Sequence, residues 1–132
     1  MIQTQFTLYL ENRPGVLAHA VKVLAEHKVN IEGISAASTS DVGLVQVVLS
    51  NPKAAAQALN KGKIAYTTQQ VSVLLLPNRP GVLAEVAAAL AKQEVNINYI
   101  YGTSCHSGCD CAVVVSAPAL EMVEKIWERL SK

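Results

Sequence analysis

The chain has 132 residues, of which 51% are hydrophobic, 16% charged and 5% aromatic, with a formal net charge of +1. This composition excludes a disordered polymer and suffices for one standard domain or two small ones. Lys and Arg are scattered rather than clustered, which removes the electrostatic basis for tight binding to nucleic acid or an anionic membrane and leaves a small neutral or zwitterionic ligand as the better fit.

In chain order, Phe6, Leu8 and Leu10 alternate as on a strand. Pro14 then stands at the expected first position of a helix, continued by Leu17, Val21 and Leu24 at helical spacing. VNIEGISAAST, from Val29, reads as a second strand, and GLVQVVLS, rich in β-branched residues, as a third. A second helix is opened by Pro52 and stopped by Gly62, and KIAYTTQ, from Lys63, supplies a fourth strand. The opening MIQTQFTLYL has neither a basic n-region nor a cleavage site, and no apolar run approaches the ~20 residues of a membrane span, so a cytoplasmic location without a membrane segment is expected.

The heptapeptide NRPGVLA occurs at residues 12–18 and again at 78–84, an offset of 66. The same offset lays ENRPGVLAHAVKVLAEHKVNIEGI on PNRPGVLAEVAAALAKQEVNINYI, with roughly half the positions identical, and Pro52 on Pro118. The expectation is an α+β protein of two tandem ferredoxin-like βαββαβ modules, residues 1–69 and 70–132, each with two helices over one face of an antiparallel sheet.

The second copy is incomplete. The counterpart of the fourth strand would start at Arg129, where EMVEKIWERLSK still reads as helix, so the second module lacks its last strand. Residues 64–76 contain no Gly or Pro and can run as one extended segment of roughly 40 Å. Val73 and Leu75 alternate with Leu74 and Leu76, which predicts burial of both faces there. The missing strand leaves backbone groups to be covered by a neighbouring module or a second chain, so we expect coupled modules and a homodimer with sites at module interfaces.

The repeated loop has a chemical logic. Pro14 and Pro80 carry no N–H, and Gly15 and Gly81 present bare backbone to a ligand. The N–H groups of Gly15, Val16 and Leu17, and of Gly81, Val82 and Leu83, lie at the positive end of a helix dipole and suit a carboxylate. Asn12 and Asn78 offer an amide oxygen to an ammonium group, and Asn30 and Asn96 are expected to return beside them. Together these describe a site for an α-amino acid, although Asn-x-Pro-Gly also serves simply to cap a helix.

The stretches LENRPGVLA...VNIEGIS and LPNRPGVLA...VNINYIY resemble the ACT domain, a small regulatory amino-acid-binding module, in two tandem copies; the first is similar to the regulatory small subunit of acetohydroxyacid synthase, which senses branched-chain amino acids. The resemblance implies a non-catalytic sensor without a cofactor, with a regulated metabolic enzyme as a partner. It also implies a ligand held between the first loop of one module and the second strand of another. That assigns Asn12, Gly15, Val16, Leu17, Asn30 and Ile31, with Asn78, Gly81, Val82, Leu83, Asn96 and Ile97; Arg13, Pro14, Arg79 and Pro80 complete the loops. Many ACT domains carry Asp where this chain has Asn12 and Asn78, so the ammonium contact here lacks a formal charge.

Two alternatives use other residues. In an acylphosphatase-like enzyme Arg13 or Arg79 would bind phosphate, but Pro14 and Pro80 each delete a loop donor, and no nucleophile stands beside a base. His19 and His27 fall on or just after a helix, where polar exposure accounts for them. A metal- or redox-responsive protein would use Cys105, His106, Cys109 and Cys111, four soft ligands within seven residues whose spacing matches no standard zinc pattern. The first-copy counterparts of the three cysteines are Thr39, Gly43 and Val45, so the module folds without metal; Cys111 continues the face of Val113 and Val115 and is expected in the core. Their odd number in one segment is unlike a secreted disulfide framework.

Overall fold

The computed structural model describes residues 1–39, 42–103 and 109–132, and it divides into two compact units, Thr4–Gln69 and Met1–Gln3 with Gln70–Lys132.

In the first unit, β1 (Ile2–Glu11) shows the expected alternation: Phe6, Leu8 and Leu10 are buried while Tyr9 is exposed. α1 (Val16–Glu26) turns Ala20 and Leu24 inward. β2 (Ile31–Thr39) pairs antiparallel with β3 (Val42–Leu49), which pairs antiparallel with β1; Phe6 and Ile34 both stand opposite Val47. α2 (Pro52–Lys61) is capped by Asn51, whose side chain accepts from the Ala54 N–H at 3.1 Å, with Pro52 in its first turn. The first half of β4 (Ala65–Pro77) lies beside β1, giving the sheet order β2-β3-β1-β4. Phe6, Leu8, Leu24, Val47 and Leu59 are among the core residues between sheet and helices, where each such side chain contributes about 1.5–3 kcal/mol of burial. The Phe6 ring lies 5.4 Å from that of Tyr66.

The second unit repeats the plan with the second half of β4, α3 (Val82–Lys92), β5 (Tyr99–Gly102), β6 (Asp110–Ser116) and α4 (Leu120–Leu130). β6 runs antiparallel between β4 and β5, and its core includes Leu74, Leu76, Val86, Leu90, Val115, Val123 and Ile126. α4 extends to Leu130, across the position where the offset would start a fourth strand. Met1–Gln3, at the start of β1, belong to this second unit. The Val73 N–H donates to Met1 O at 2.9 Å, and the Met1 ammonium donates to Val73 O at 2.8 Å and pairs with Glu124 at 2.6 Å.

Three details depart from the sequence expectation, and a fourth distinguishes the two units. Pro14 is not the first helical residue, because α1 begins at Val16 with Gly15 as its N-cap. The second strand of the second copy starts only at Tyr99, although the Asn98 N–H already donates to Ser116 O at 2.8 Å. Leu75 is 59% exposed, since α3 and α4 cover the side of the strand that carries Leu74 and Leu76. The Phe6–Tyr66 pair has no equivalent either: the offset puts Ser72 where Phe6 stands, and its buried Oγ finds no partner among the described residues.

Candidate functional site

The repeated loop folds the same way twice. The Arg13 N–H donates to Glu11 O at 2.9 Å and the Arg79 N–H to Pro77 O at 3.0 Å, γ-turns centred on Asn12 and Asn78. Pro14 and Gly15 then occupy the middle of a type II turn closed by the Val16 N–H on Arg13 O at 3.4 Å. Gly15 has φ 89° and Gly81 φ 93°, the left-handed values that this turn demands and that glycine adopts without strain. Pro14 therefore sets the turn, not the helix. No side chain caps α1 and no acidic residue lies in its first turn, so the positive end of its dipole is uncompensated from within the helix; α3 carries Glu85 in its first turn.

Against the first loop lies a cavity of about 240 Å³ lined by Leu10, Glu11, Asn12, Arg13, Leu17, Ala36, Ala37, Ser38, Gly43 and Val45. Strand register brings these residues together: Leu10 stands opposite Gly43, and Gly43 opposite Ser38, while Val45 faces Ala36. The wall is mostly aliphatic and the rim polar. Arg13 Nε donates to Glu11 Oε2 at 2.6 Å; both side chains are exposed, so the pair contributes under about 1 kcal/mol, but it neutralises the rim. An arginine matched to a carboxylate in its own loop is a poor phosphate anchor, which weighs against the acylphosphatase-like alternative.

Of the residues singled out in the first copy, Asn12, Arg13 and Leu17 line the cavity, and Pro14, Gly15 and Val16 form the adjoining turn. Asn30 and Ile31 do not join them. Ile31 pairs with Leu49, and Asn30 exchanges hydrogen bonds with Ser50, its N–H donating to Ser50 Oγ at 2.9 Å and its carbonyl accepting from the Ser50 N–H at 3.0 Å. β1 and β2 are each antiparallel to β3 and so run parallel, which places the end of β2, not its start, beside the loop. The residues that sequence reasoning missed, Ala36, Ala37, Ser38, Gly43 and Val45, sit at that end of β2 and at the start of β3. The run of small residues SAAS was the available signal.

In the second copy the Asn78 N–H donates to Cys109 O at 3.3 Å, and Arg79 approaches Glu85 at 3.8 Å. Val82 is a buried core residue, Leu83 is exposed, and Ile97 packs against the core. The Asn98 N–H donates to Ser116 O at 2.8 Å, which sets Asn96 and Ile97 at the far end of the unit, as Asn30 is in the first. Cys109 is an exposed free thiol and Cys111 a half-buried one, less enclosed than a core position; Cys105 and His106 lie outside the described residues. Tyr101, stacked on Tyr99 at 6.4 Å, has its phenol pushed well above the usual range by burial and then by Tyr99, and stays neutral.

Each of the two ferredoxin-like units carries a cavity against its repeated strand–helix loop, about 240 Å³ in the first and, lined by Pro77, Arg79, Val82 and Glu85 among others, about 320 Å³ in the second. The family profile described as an ACT domain pair matches residues 1–121, and the chain belongs to that family. ACT domains are regulatory amino-acid-binding modules. Among solved structures, a Bacteroides thetaiotaomicron protein superimposes with a TM-score of 0.90 at 27% identity, covering 99% of this chain and 90% of its own. The ligand-free regulatory subunit of aspartate kinase from Thermus thermophilus gives 0.70 at 18% identity, covering 98% and 94%. That from Thermus flavus gives 0.62 at 18%, covering 100% and 96%. No curated protein matches the sequence. No helix among the described residues is long and apolar enough to cross a membrane.

Proposed function

We propose that this protein is a non-catalytic, cytoplasmic amino-acid sensor that binds a small aliphatic amino acid at the first module's loop and passes the signal to a metabolic enzyme. The cavity at residues 12–17 carries the reading. An uncompensated helix N-terminus and the Gly15 turn offer N–H donors to a carboxylate, the Asn12 amide offers an oxygen to an ammonium group, and Leu10, Leu17, Ala36 and Val45 offer an apolar wall to a short side chain. The neutral rim suits a zwitterion. A branched-chain side chain matches both the aliphatic wall and the limited volume.

The second module's loop, with Asn78, Arg79, Pro80, Gly81, Val82 and Leu83, has a similar backbone and belongs to the same reading as a second anion-binding turn. Asn30, Ile31, Asn96 and Ile97 lie away from their own loops and can serve only by meeting the loop of another module, which is the reason to propose a homodimer. Light scattering should return twice the chain mass.

Calorimetry against the full set of standard amino acids tests the reading. One small aliphatic amino acid should bind below millimolar concentration, and Asn12→Ala or Val45→Phe should weaken it at least tenfold. A folded protein that binds none would sink the proposal.

A further inference from the structure

We propose that the cavity at the second module's loop takes an organic cation, a guanidinium group carried on a short apolar stem, where the first module's cavity takes an uncharged side chain. The second cavity, of about 320 Å³, is lined by Leu75, Arg79, Glu85, Asp110, Trp127 and Leu130 among others. Two carboxylates there are set against one guanidinium, so the lining is negative. Residues 104–108, SCHSG, contain no Asp, Glu, Lys or Arg, so the described residues set that sign.

The two modules differ at the positions that carry the charge. On the offset of 66, α3 has Glu85 where α1 has His19, and strand register sets Asp110 opposite Pro77 where Val42 stands opposite Glu11. Neither carboxylate is thus part of what the repeat shares. In the first module the loop arginine is matched to Glu11 at 2.6 Å and the rim is neutral. In the second, Arg79 reaches Glu85 only at 3.8 Å, beyond hydrogen-bonding distance, and both side chains are more than half exposed. Such a loose, solvated pair contributes little and yields readily to a ligand cation. Glu85 also lies in the first turn of α3, where it offsets the positive end of the helix dipole, so this loop is a poorer anion site than the first.

The apolar part of the lining selects the kind of cation. Trp127 packs against the core of the unit while lining the cavity, and Leu75 and Leu130, which line it too, are exposed. An indole face attracts a cation electrostatically. A planar guanidinium both stacks on it and offers paired N–H donors to carboxylates, which a compact ammonium does not. The leucines accommodate the stem. This assignment goes beyond the aliphatic amino-acid reading of the first cavity and does not depend on it.

Trp127 is the chain's one tryptophan, so its fluorescence reports on this cavity directly. Titration of the full chain with L-arginine should shift Trp127 emission saturably, and L-citrulline, its uncharged near-isostere, should bind about tenfold more weakly or worse. Glu85→Gln combined with Asp110→Asn, nearly isosteric changes at exposed sites, should abolish the shift. Arg79→Gln, which removes the internal competitor, should tighten arginine binding roughly threefold. The first module's ligand, read by calorimetry, should bind all of these variants alike, so the two assignments fail separately. No shift with arginine, citrulline equal to arginine, a folded double variant that still responds, or Arg79→Gln binding no tighter overturns the site. L-Lysine bound as tightly as arginine overturns the choice of guanidinium.

Discussion

Gly15 and Gly81 set the direction in which each loop delivers its helix. A Cβ built at either position meets nothing within 4 Å, so any penalty for a side chain comes from the backbone, not from a clash. Gly15→Val should therefore lower the stability of the first unit by about 1–2 kcal/mol, the cost of holding a β-branched residue in the left-handed region, while Gly15→Asn, which tolerates that region, should lose about half as much. Urea unfolding midpoints check the order. The sequence supports the opposite expectation, that a side chain is accommodated, because Pro followed by Gly fits both the start of a helix and a type II turn. Proline has nearly the same φ in both. The sign of φ at the glycine separates them, and glycine is the residue whose identity leaves that sign open.

Among the elements, long periodic segments were legible and ends were not. α2 starts at its Pro52 marker and ends before Gly62, but Gly62 is right-handed (φ −79°) and the left-handed residue that closes the helix is Lys63 (φ 58°); β4 runs 13 residues because nothing in it breaks a strand. β5 falls short of its reading, beginning at Tyr99 and running four residues, a start that a count of apolar residues does not register. Helix ends show another feature hidden from composition. α1 closes with the Val29 N–H on Leu24 O at 3.0 Å and the Lys28 N–H on Ala25 O at 2.9 Å, and α3 repeats this with Val95 and Glu94. These are Schellman closures, yet the residue at the left-handed position is Lys28 (φ 58°) or Glu94 (φ 56°) rather than glycine. Lys28→Gly and Glu94→Gly should each stabilise the fold by about 1 kcal/mol, readable as a raised Tm, because they remove left-handed strain at an exposed site. A lowered Tm in both would show that the lysine and glutamate side chains do more at these ends than the backbone geometry implies.

At the scale of the whole molecule, half the chain length was the legible period. The pairing of Met1–Gln3 with the second unit was not legible, since Ile2 and Gln3 read in sequence as the ordinary start of β1. Removing Met1–Gln3 should strip the Val73 amide of its acceptor and destabilise the second unit by about 2 kcal/mol, the worth of two backbone hydrogen bonds. Hydrogen exchange at Val73 should accelerate, while Val48, opposite Gln5, keeps its protection. Unchanged exchange at Val73 would show that the terminal pairing adds nothing in solution.

That terminal pairing also sets an order of events. The contact between Met1 and Val73 closes a separation of 72 residues, whereas Thr4–Gln69 holds the four strands of the first unit. A growing chain can assemble the first unit before the later half of β4 exists, so Met1–Gln3 find their partner in Val73 only after about 70 further residues have been made. The second unit thus closes through a contact between distant parts of the chain, the kind whose loop-closure entropy is met late.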